Sequence, residues 1–318
     1  LSIRRQRQMC IRDRSQAIVF CEQNGFPLFT IPWKTRIIDI SYEFCRRIIA
    51  NEKRESTIAD AFRGIIRNPA TADDYSSMLN RAGFYDDSSY TVISLSILRK
   101  SISITESVVR TTDMSLWRML KKSGNHSSLF MKEGDLVAVR QNCSEEEIVM
   151  FCELLRPIAE QSADTEIYIG VSESVRGFAE ISQAYEQSYA AMLTGRIKGK
   201  EHVFYRDIGL MKLIFGVKDK MILSSFAEEN LGVLHRYDSE KNTDYCSVLR
   251  KYLELNGSVL EAAAETGVHR NTINYKIRAI REILGRELDD HTKSMLMLAY
   301  LIEDVLDIYD NLNGGNKQ

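Results

Sequence analysis

The sequence lacks the cysteine and histidine spacings that are typical of metal centres and disulfide frameworks. Its six cysteines are scattered, none forms a CxxC pair, and none stands near a histidine at ligand spacing. Because zinc sites and disulfide-rich domains depend on such spacing, we expect reduced, buried thiols in a cytoplasmic protein, and no metal. No apolar run approaches the roughly eighteen residues of a membrane span, so we expect no membrane contact.

The sequence also has no excess of positive charge, since its 42 Lys and Arg and 44 Asp and Glu give a formal net charge of −2. The overall charge opposes binding to nucleic acid, so any such binding must be local. The 318 residues are enough for two domains of ordinary size, and only four prolines interrupt them. Apolar residues often recur at helical spacing, so we expect a largely helical chain with some sheet.

Motifs of catalysis are missing as well. The sequence contains no P-loop, no zinc motif and no Ser/His/Asp set, so we expect no catalytic residue and no cofactor. Four histidines are isolated along the chain and are predicted to be surface or core residues: His126, His202, His235 and His291. His269 differs, because it begins a basic helix and is a candidate N-cap or phosphate contact.

The first residues, "LSIRRQRQMCIRDR", carry five arginines and one aspartate. They have no apolar core of the kind found in a secretory signal. One interpretation of residues 1–15 is a basic arm for nucleic acid; we favour the other, a segment that is foreign to the native protein. Beyond it, Pro27 and Pro32 favour an extended stretch, and an amphipathic helix is expected from Ile37 until "IRNPATADD" breaks it.

The middle of the chain alternates strand and helix patterns. Strands are predicted at 90–97, at 128–141 as two strands around a tight turn at Glu133-Gly134-Asp135, at 166–173 and at "HVFYRDIG". Helices are predicted at 75–83, 115–124, from Ser144, and at 177–199. This order predicts an α+β sandwich domain over residues 75–206.

From Leu210 onward no strand pattern appears. Residues 207–242 are expected to form a helical connector, residues 243–310 a compact helical unit, and residues 311–318 a disordered tail. Within that unit, Ala263, Gly267 and Ile273 have the spacing of a helix-turn-helix. The small residue lets two helices approach, the glycine takes the left-handed backbone of the turn, and the isoleucine anchors the second helix.

The second helix of this pair is basic on one side and aliphatic on the other. On a helical wheel, one stripe should be buried: Ile273, Ile277, Ile280 and Leu284. The outer side carries Asn271, Thr272, Tyr275 and Arg278, with Arg270, Lys276 and Arg281 at the edges. Residues 266–281 contain no acidic residue. Such a helix suits a major groove, where polar side chains reach base edges and cations meet phosphates. Helix pairs with a glycine turn also occur in proteins that never contact DNA, so the spacing alone leaves both interpretations open.

The stretch "VHRNTINYKIRAIREILGRELDD" resembles the C-terminal helix-turn-helix of the PucR/CdaR family of bacterial transcription regulators. His269, Arg270, Asn271, Thr272 and Tyr275 match the family pattern. Lys276 departs from it, because arginine is usual there, and lysine keeps the charge but loses the bidentate geometry. Upstream, "YIGVSESVRGFAEISQAYEQSYAAM" is similar to the degenerate GGDEF-like domain of these regulators.

The resemblance implies further expectations. "NGFPLFTIPWKTRIIDI" resembles the end of the family's N-terminal sensor domain, so residues 16–70 should be a remnant of that domain and a linker helix in a truncated chain. Double-stranded DNA, a homodimer and a small-molecule effector of unknown identity are the expected partners, and catabolic operons the expected targets. Both the helix "SMLMLAYLIEDVL" and the α+β domain offer candidate dimer faces.

Two other functions stay open from the sequence. One is a ligand-sensing or protein-interaction module that does not bind DNA. The less favoured one is a nucleotide cyclase, which needs carboxylates on the hairpin to hold Mg²⁺ and glycines that let GTP approach. The hairpin "KEGDLV" lacks the paired glycines and one carboxylate, and we expect Asp135 to be a turn residue.

Overall fold

The computed structural model describes residues 14–23, 36–99, 127–160 and 165–314. The chain divides into two compact units, residues 1–56 and 57–318. The smaller unit contains helix α1 (Arg14–Gln23) and the first part of helix α2 (Ile37–Arg67). The expected helix at 115–124 and most of the segment 1–15 lie outside the described residues.

Helix α2 ends where the sequence predicted a break. Asn68 takes an extended backbone before Pro69, and its side-chain oxygen accepts a hydrogen bond from the Ala70 N–H at 3.3 Å. A single 3₁₀ turn, Pro69–Thr71, leads into helix α3 (Ala72–Ala82). The proline cannot donate to the helix, and it restricts the residue before it, so the chain turns here.

The larger unit begins with an α+β domain built on a sheet in which six strands are described. Its elements are β1 (Ser89–Arg99), β2 (Ser127–Lys132), β3 (Asp135–Gln141), α4 (Glu145–Glu160), β4 (Thr165–Val171), β5 (Val175–Arg176), α5 (Ile181–Lys198) and β6 (His202–Phe204). The strands lie in the order β2-β3-β1-β4-β6, and β5 pairs with β1. All described pairings are antiparallel except that of β4 with β6. The predicted α+β class is thus confirmed.

Side chains alternate between the two faces of this sheet. Along β1, Tyr90 and Val92 pack on the face covered by α2 and α5, while Ile93 and Leu95 pack on the face covered by α4. The α5 face is unusually close, because a Cβ at Gly170 of β4 would lie 1.9 Å from the Ser188 carbonyl oxygen. Only glycine therefore fits at that position.

Local signals explain where two helices begin. The Ser144 hydroxyl accepts a hydrogen bond from the Glu147 N–H, and the Glu147 carboxylate accepts one from the Ser144 N–H, which makes a capping box before α4. Helix α5 begins at Ile181, four residues after the predicted start at 177. The Phe178 N–H donates to Asp86 at 2.7 Å, and this long-range bond holds residues 177–180 in a turn.

The rest of the larger unit is helical, as predicted. Its described helices are α6 (Met211–Gly216), α7 (Lys220–Lys241), α8 (Tyr245–Glu254), α9 (Val259–Thr266), α10 (Arg270–Leu284) and α11 (Asp290–Gly314). One apolar core lies among α7 to α11. A second core joins this helical part to the sheet domain, because Ala190 and Ala191 of α5 pack in one cluster with Ile302 and Val305 of α11.

This packing corrects the expectation about α11 as a dimer face. The apolar side chains of "SMLMLAYLIEDVL" include Leu296, Ala299, Tyr300, Ile302 and Val305, which are all at most 3% exposed. These side chains already pack in the two cores of the chain itself. A second copy cannot bury that stripe without unpacking the monomer.

Candidate nucleic-acid interface

Helices α9 and α10 form the predicted helix-turn-helix, and each begins and ends with a cap. The Ser258 hydroxyl accepts a hydrogen bond from the Glu261 N–H at the start of α9. Gly267 ends α9 with φ of +69°, the left-handed conformation that the spacing predicted. His269 is the N-cap of α10, because its Nδ1 accepts from the Asn271 N–H at 3.2 Å. Gly285 ends α10 in the same left-handed way.

The aliphatic stripe of α10 is buried as predicted, with one exception. Ile273, Ile277 and Ile280 are at most 4% exposed and pack in the core of the helical part. Ala263 of α9 is also buried and belongs to that core. Leu284 was expected to be buried but is only partly so, because it occupies the last turn, where the core ends.

The residues expected on the outer side of α10 lie there. Asn271, Thr272, Tyr275 and Arg278 are exposed, and Tyr275 is 70% exposed although it is a large aromatic residue. Arg270 and Arg281 are exposed as well. The first turn of α10 contains no acidic residue. The face therefore presents hydrogen-bonding groups and cations that are free of core contacts.

Two of the predicted edge cations have acidic neighbours. The Lys276 ammonium lies 2.6 Å from both oxygens of Asp244, the residue just before α8, and its side chain is only 20% exposed. Arg281 pairs more loosely with Glu287, at 3.6 Å between Nη1 and Oε2. Because Lys276 ties α10 to α8, its ammonium is less accessible than the guanidinium groups of Arg270, Arg278 and Arg281.

A second polar cluster was missed by sequence reasoning. His235, expected to be isolated, places its Nε2 at 2.8 Å from Glu303 and its Nδ1 at 3.4 Å from the Cys246 sulfur. Burial, followed by the nearby Asp238, raises the pKa of the Cys246 thiol to about 12. The three side chains come from α7, α8 and α11, so the cluster links the helices that support α9 and α10. Their separation along the chain left no local signal.

The hairpin also differs from expectation. The turn residues are Glu133 and Gly134, both with positive φ, whereas Asp135 begins β3 and is only 8% exposed. Burial raises the pKa of the Asp135 carboxyl, and a hydrogen bond from Ser96 partly offsets that rise. The interpretation of Asp135 as a turn residue is therefore wrong. Its carboxylate belongs to the packed face of the sheet.

The described part of the chain shows neither a metal cluster nor a membrane helix. Across the described residues, no group of three or more His, Cys, Asp or Glu side chains is arranged to hold a metal ion. None of the described helices is both long enough and apolar enough to cross a membrane.

Comparison with protein families identifies both domains. Residues 245–302 match the PucR C-terminal helix-turn-helix domain, and residues 67–192 match a GGDEF-like domain. The first match contains α8, α9 and α10 and much of α11. The second runs from the end of α2 into α5.

Individual relatives agree with these matches. The chain is 25% identical over 146 residues to the proline-responsive transcriptional activator PutR of Bacillus subtilis, which covers 45% of this chain and 36% of PutR. It is 22% identical over 111 residues to the DNA-binding transcriptional activator AdeR of the same organism, covering 34% of this chain and 26% of AdeR. The matched segments thus span about a third or less of these relatives.

A solved structure also aligns with most of the chain. It is the regulator of polyketide synthase expression from Bifidobacterium adolescentis, which is 19% identical. The alignment covers 78% of this chain and 97% of that one, with a TM-score of 0.35.

Proposed function

Because the chain belongs to the PucR/CdaR family of transcription regulators, we propose that it binds a specific DNA sequence as a cytoplasmic homodimer and regulates a catabolic operon. The observation that supports this most directly is the outer face of α10. Asn271, Thr272, Tyr275 and Arg278 are exposed on a helix whose opposite side is locked into the core. In the groove, these side chains contact base edges.

The flanking cations position the helix. Arg270 and Arg281 lie at its edges, where the sugar-phosphate backbones run. Lys276 makes a weaker contribution, because a phosphate must compete with Asp244 for its ammonium. A single helix-turn-helix covers few base pairs, and two copies on half-sites about one helical turn apart provide the specificity. With the apolar stripe of α11 buried, the dimer forms through the α+β domain.

The GGDEF-like domain serves as a structural and signalling domain without nucleotide cyclase activity. Its hairpin lacks the glycine pair, and the carboxylate of Asp135 is buried against the sheet. A small-molecule effector acts on DNA binding through this domain or through other parts of the protein.

Selection from a random duplex library tests the proposal. The purified chain should enrich a sequence with two related half-sites, and light scattering should give a dimer on that duplex. Arg278→Ala should weaken its binding at least tenfold. Arg176→Ala is the matched control, because Arg176 is an exposed arginine on β5, far along the chain from α10. If no sequence is enriched, or both variants behave alike, the function is that of a module that does not read DNA.

A further inference from the structure

A cavity of about 600 Å³ opens in the larger unit, where the end of α2 meets the β2–β3 hairpin and the start of α5. Its volume lies within the roughly 300–1,000 Å³ that is typical of small-molecule sites. The interface on α10 does not involve it, and neither domain match assigns it a ligand. Its walls combine tyrosine rings with charged side chains of both signs.

The aromatic walls are built in by the backbone and by packing. Gly64 of α2 lies under Tyr75, and a Cβ at Gly64 would come within 2.7 Å of the tyrosine ring. The glycine therefore allows the tip of the Tyr75 ring to approach the helix closely. Tyr185 of α5 is 8% exposed and stacks on Tyr189 with 5.9 Å between ring centroids. Two rings are thus held in place beside the cavity.

Most of the charges that line the cavity neutralise one another. Arg63 pairs with Asp60 at 2.6 Å and also donates from Nε to the Met131 carbonyl at 3.1 Å. Lys132 pairs with Glu133 and lies 4.8 Å above the Tyr185 ring. These four side chains leave little unsatisfied charge for a ligand.

Arg67 and Glu186 are different. Both are exposed, and within the described ranges neither side chain makes a hydrogen bond or an ion pair, including with the other. A simple anion would be attracted by Arg67 and repelled by Glu186, and a simple cation would meet the reverse. A ligand that carries one charge of each sign complements both groups.

We propose that this cavity binds a free α-amino acid. Its carboxylate faces Arg67, its ammonium faces Glu186, and its side chain lies beside the Tyr75 ring. The volume leaves room for an amino acid of any side-chain size. The cavity would then be the effector site of the regulator, and in this respect the proposal rests on the proposed function.

The fold connects this cavity to the DNA-binding helices. Tyr185 and Glu186 lie on α5, and about one turn further along that helix Ala190 and Ala191 share a core with Ile302 and Val305 of α11. A ligand that shifts α5 therefore changes the packing of α11, which shares the other core with α10. Coupling between two such sites changes affinity by roughly 5–150-fold.

Calorimetry on the full chain tests the ligand class. The probes are the twenty amino acids and, for each one that binds, the matching acid without its amine and the matching amine without its carboxylate. At least one amino acid should bind, and both partial analogues should bind at least tenfold more weakly. Binding of the acid alone with equal affinity, or of no amino acid, overturns the proposal.

Charge variants give a sharper test. Arg67→Ala should weaken the amino acid at least tenfold, and Glu186→Gln should weaken it while strengthening the amine-free acid, because the repelling carboxylate is gone. Arg81→Ala is the matched control, since Arg81 is also an exposed arginine in the last turn of a helix. Glu229→Gln, an exposed residue of α7, controls for Glu186. Equal effects of test and control variants overturn the proposal.

DNA binding without ligand separates this inference from the proposed function. If the selected duplex is bound but no amino acid binds, only the cavity assignment fails. If an amino acid binds with the predicted charge dependence and no DNA is bound, the cavity assignment stands and the regulator function fails.

Discussion

The β2–β3 hairpin and helix α10 differ in the exposure of the polar side chains that nucleotide or DNA binding would need. On the hairpin, the Asp135 carboxyl is 8% exposed, receives a hydrogen bond from Ser96 and has a pKa raised by burial. On α10, Asn271, Thr272 and Arg278 are exposed, and Tyr275 is 70% exposed. Both segments resemble regions that bind nucleotides or DNA, but the Asp135 carboxyl of the hairpin is buried, whereas the outer polar groups of α10 are exposed.

The comparison shows that a family motif must be judged by what surrounds it. A carboxylate that binds Mg²⁺ has to offer its oxygens to the metal, and the Asp135 carboxylate of the hairpin is buried against the sheet instead. The aliphatic side of α10 fills the core, so its polar side needs no further contact for stability. On α10, the packed side chains and the exposed polar side chains thus lie on different sides of one helix.

The largest difference should appear between a substitution on the buried side of α10 and one on its exposed side. Ile273→Ala removes a fully buried side chain and should lower the free energy of unfolding by about 2–5 kcal/mol. Tyr275→Ala should change it by about 0.5 kcal/mol or less, since surface substitutions rarely do more. Chemical denaturation measures both. Similar losses for the two variants would show that Tyr275 is packed and that the outer face is not free.

The next largest effect separates base contacts from phosphate contacts. Asn271→Ala should cost about 1–3 kcal/mol on the preferred duplex and change the ranking of sequence variants. Arg281→Ala should weaken all sequences about equally and lower the salt slope by about one unit. Binding of both variants to an operator library at two salt concentrations measures this. A reordering by Arg281→Ala alone would mean that α10 is placed wrongly in the groove.

On the hairpin a smaller, pH-dependent effect is expected. Because the folded-state pKa of Asp135 is raised, its protonated form stabilises the fold below the ordinary value of 3.8, and this contribution is lost as the pH rises through the raised pKa. Asp135→Asn cannot ionise, so its stability relative to the wild type should increase over that window. Thermal unfolding between pH 4 and pH 7 checks this. A constant difference would mean that Asp135 is not buried as a carboxyl.

The smallest expected effect is none. Incubation of the chain with GTP and Mg²⁺ should yield no cyclic dinucleotide, because the hairpin offers no accessible carboxylate pair and no glycine pair for the nucleotide. Chromatography of the nucleotides, with an active diguanylate cyclase as the positive control, detects any product. Detection of a cyclic dinucleotide would show that the hairpin does act on a nucleotide, and the contrast with α10 would then be wrong.

Local patterns carried much of the fold and of the site. The stripe of Ile273, Ile277 and Ile280 and the left-handed turn at Gly267 were predictable, because each depends on residues within about four turns of helix. The capping box before α4 was equally local. Leu284 was predicted less well, since a wheel does not show where the partner helices end.

Long-range contacts account for what the sequence did not reveal. The Asp244 partner of Lys276 lies 32 residues away, and Glu303 lies 68 residues from His235. Helix α5 starts later than predicted because the Phe178 N–H donates to Asp86, 92 residues earlier. In each case the pairing is created by the tertiary fold, and no spacing rule within one segment encodes it.

The core shared by α5 and α11 means that the sheet domain and the helix-turn-helix should be engineered together. A chain cut between residues 206 and 243 would leave Ala190 and Ala191 on one product and Ile302 and Val305 on the other, each facing water. Grafting the helix-turn-helix onto another sensor would therefore require α5 and its sheet to travel with it. Exchange of modules among such regulators is accordingly expected upstream of this joint, at the N-terminal side of the sheet domain.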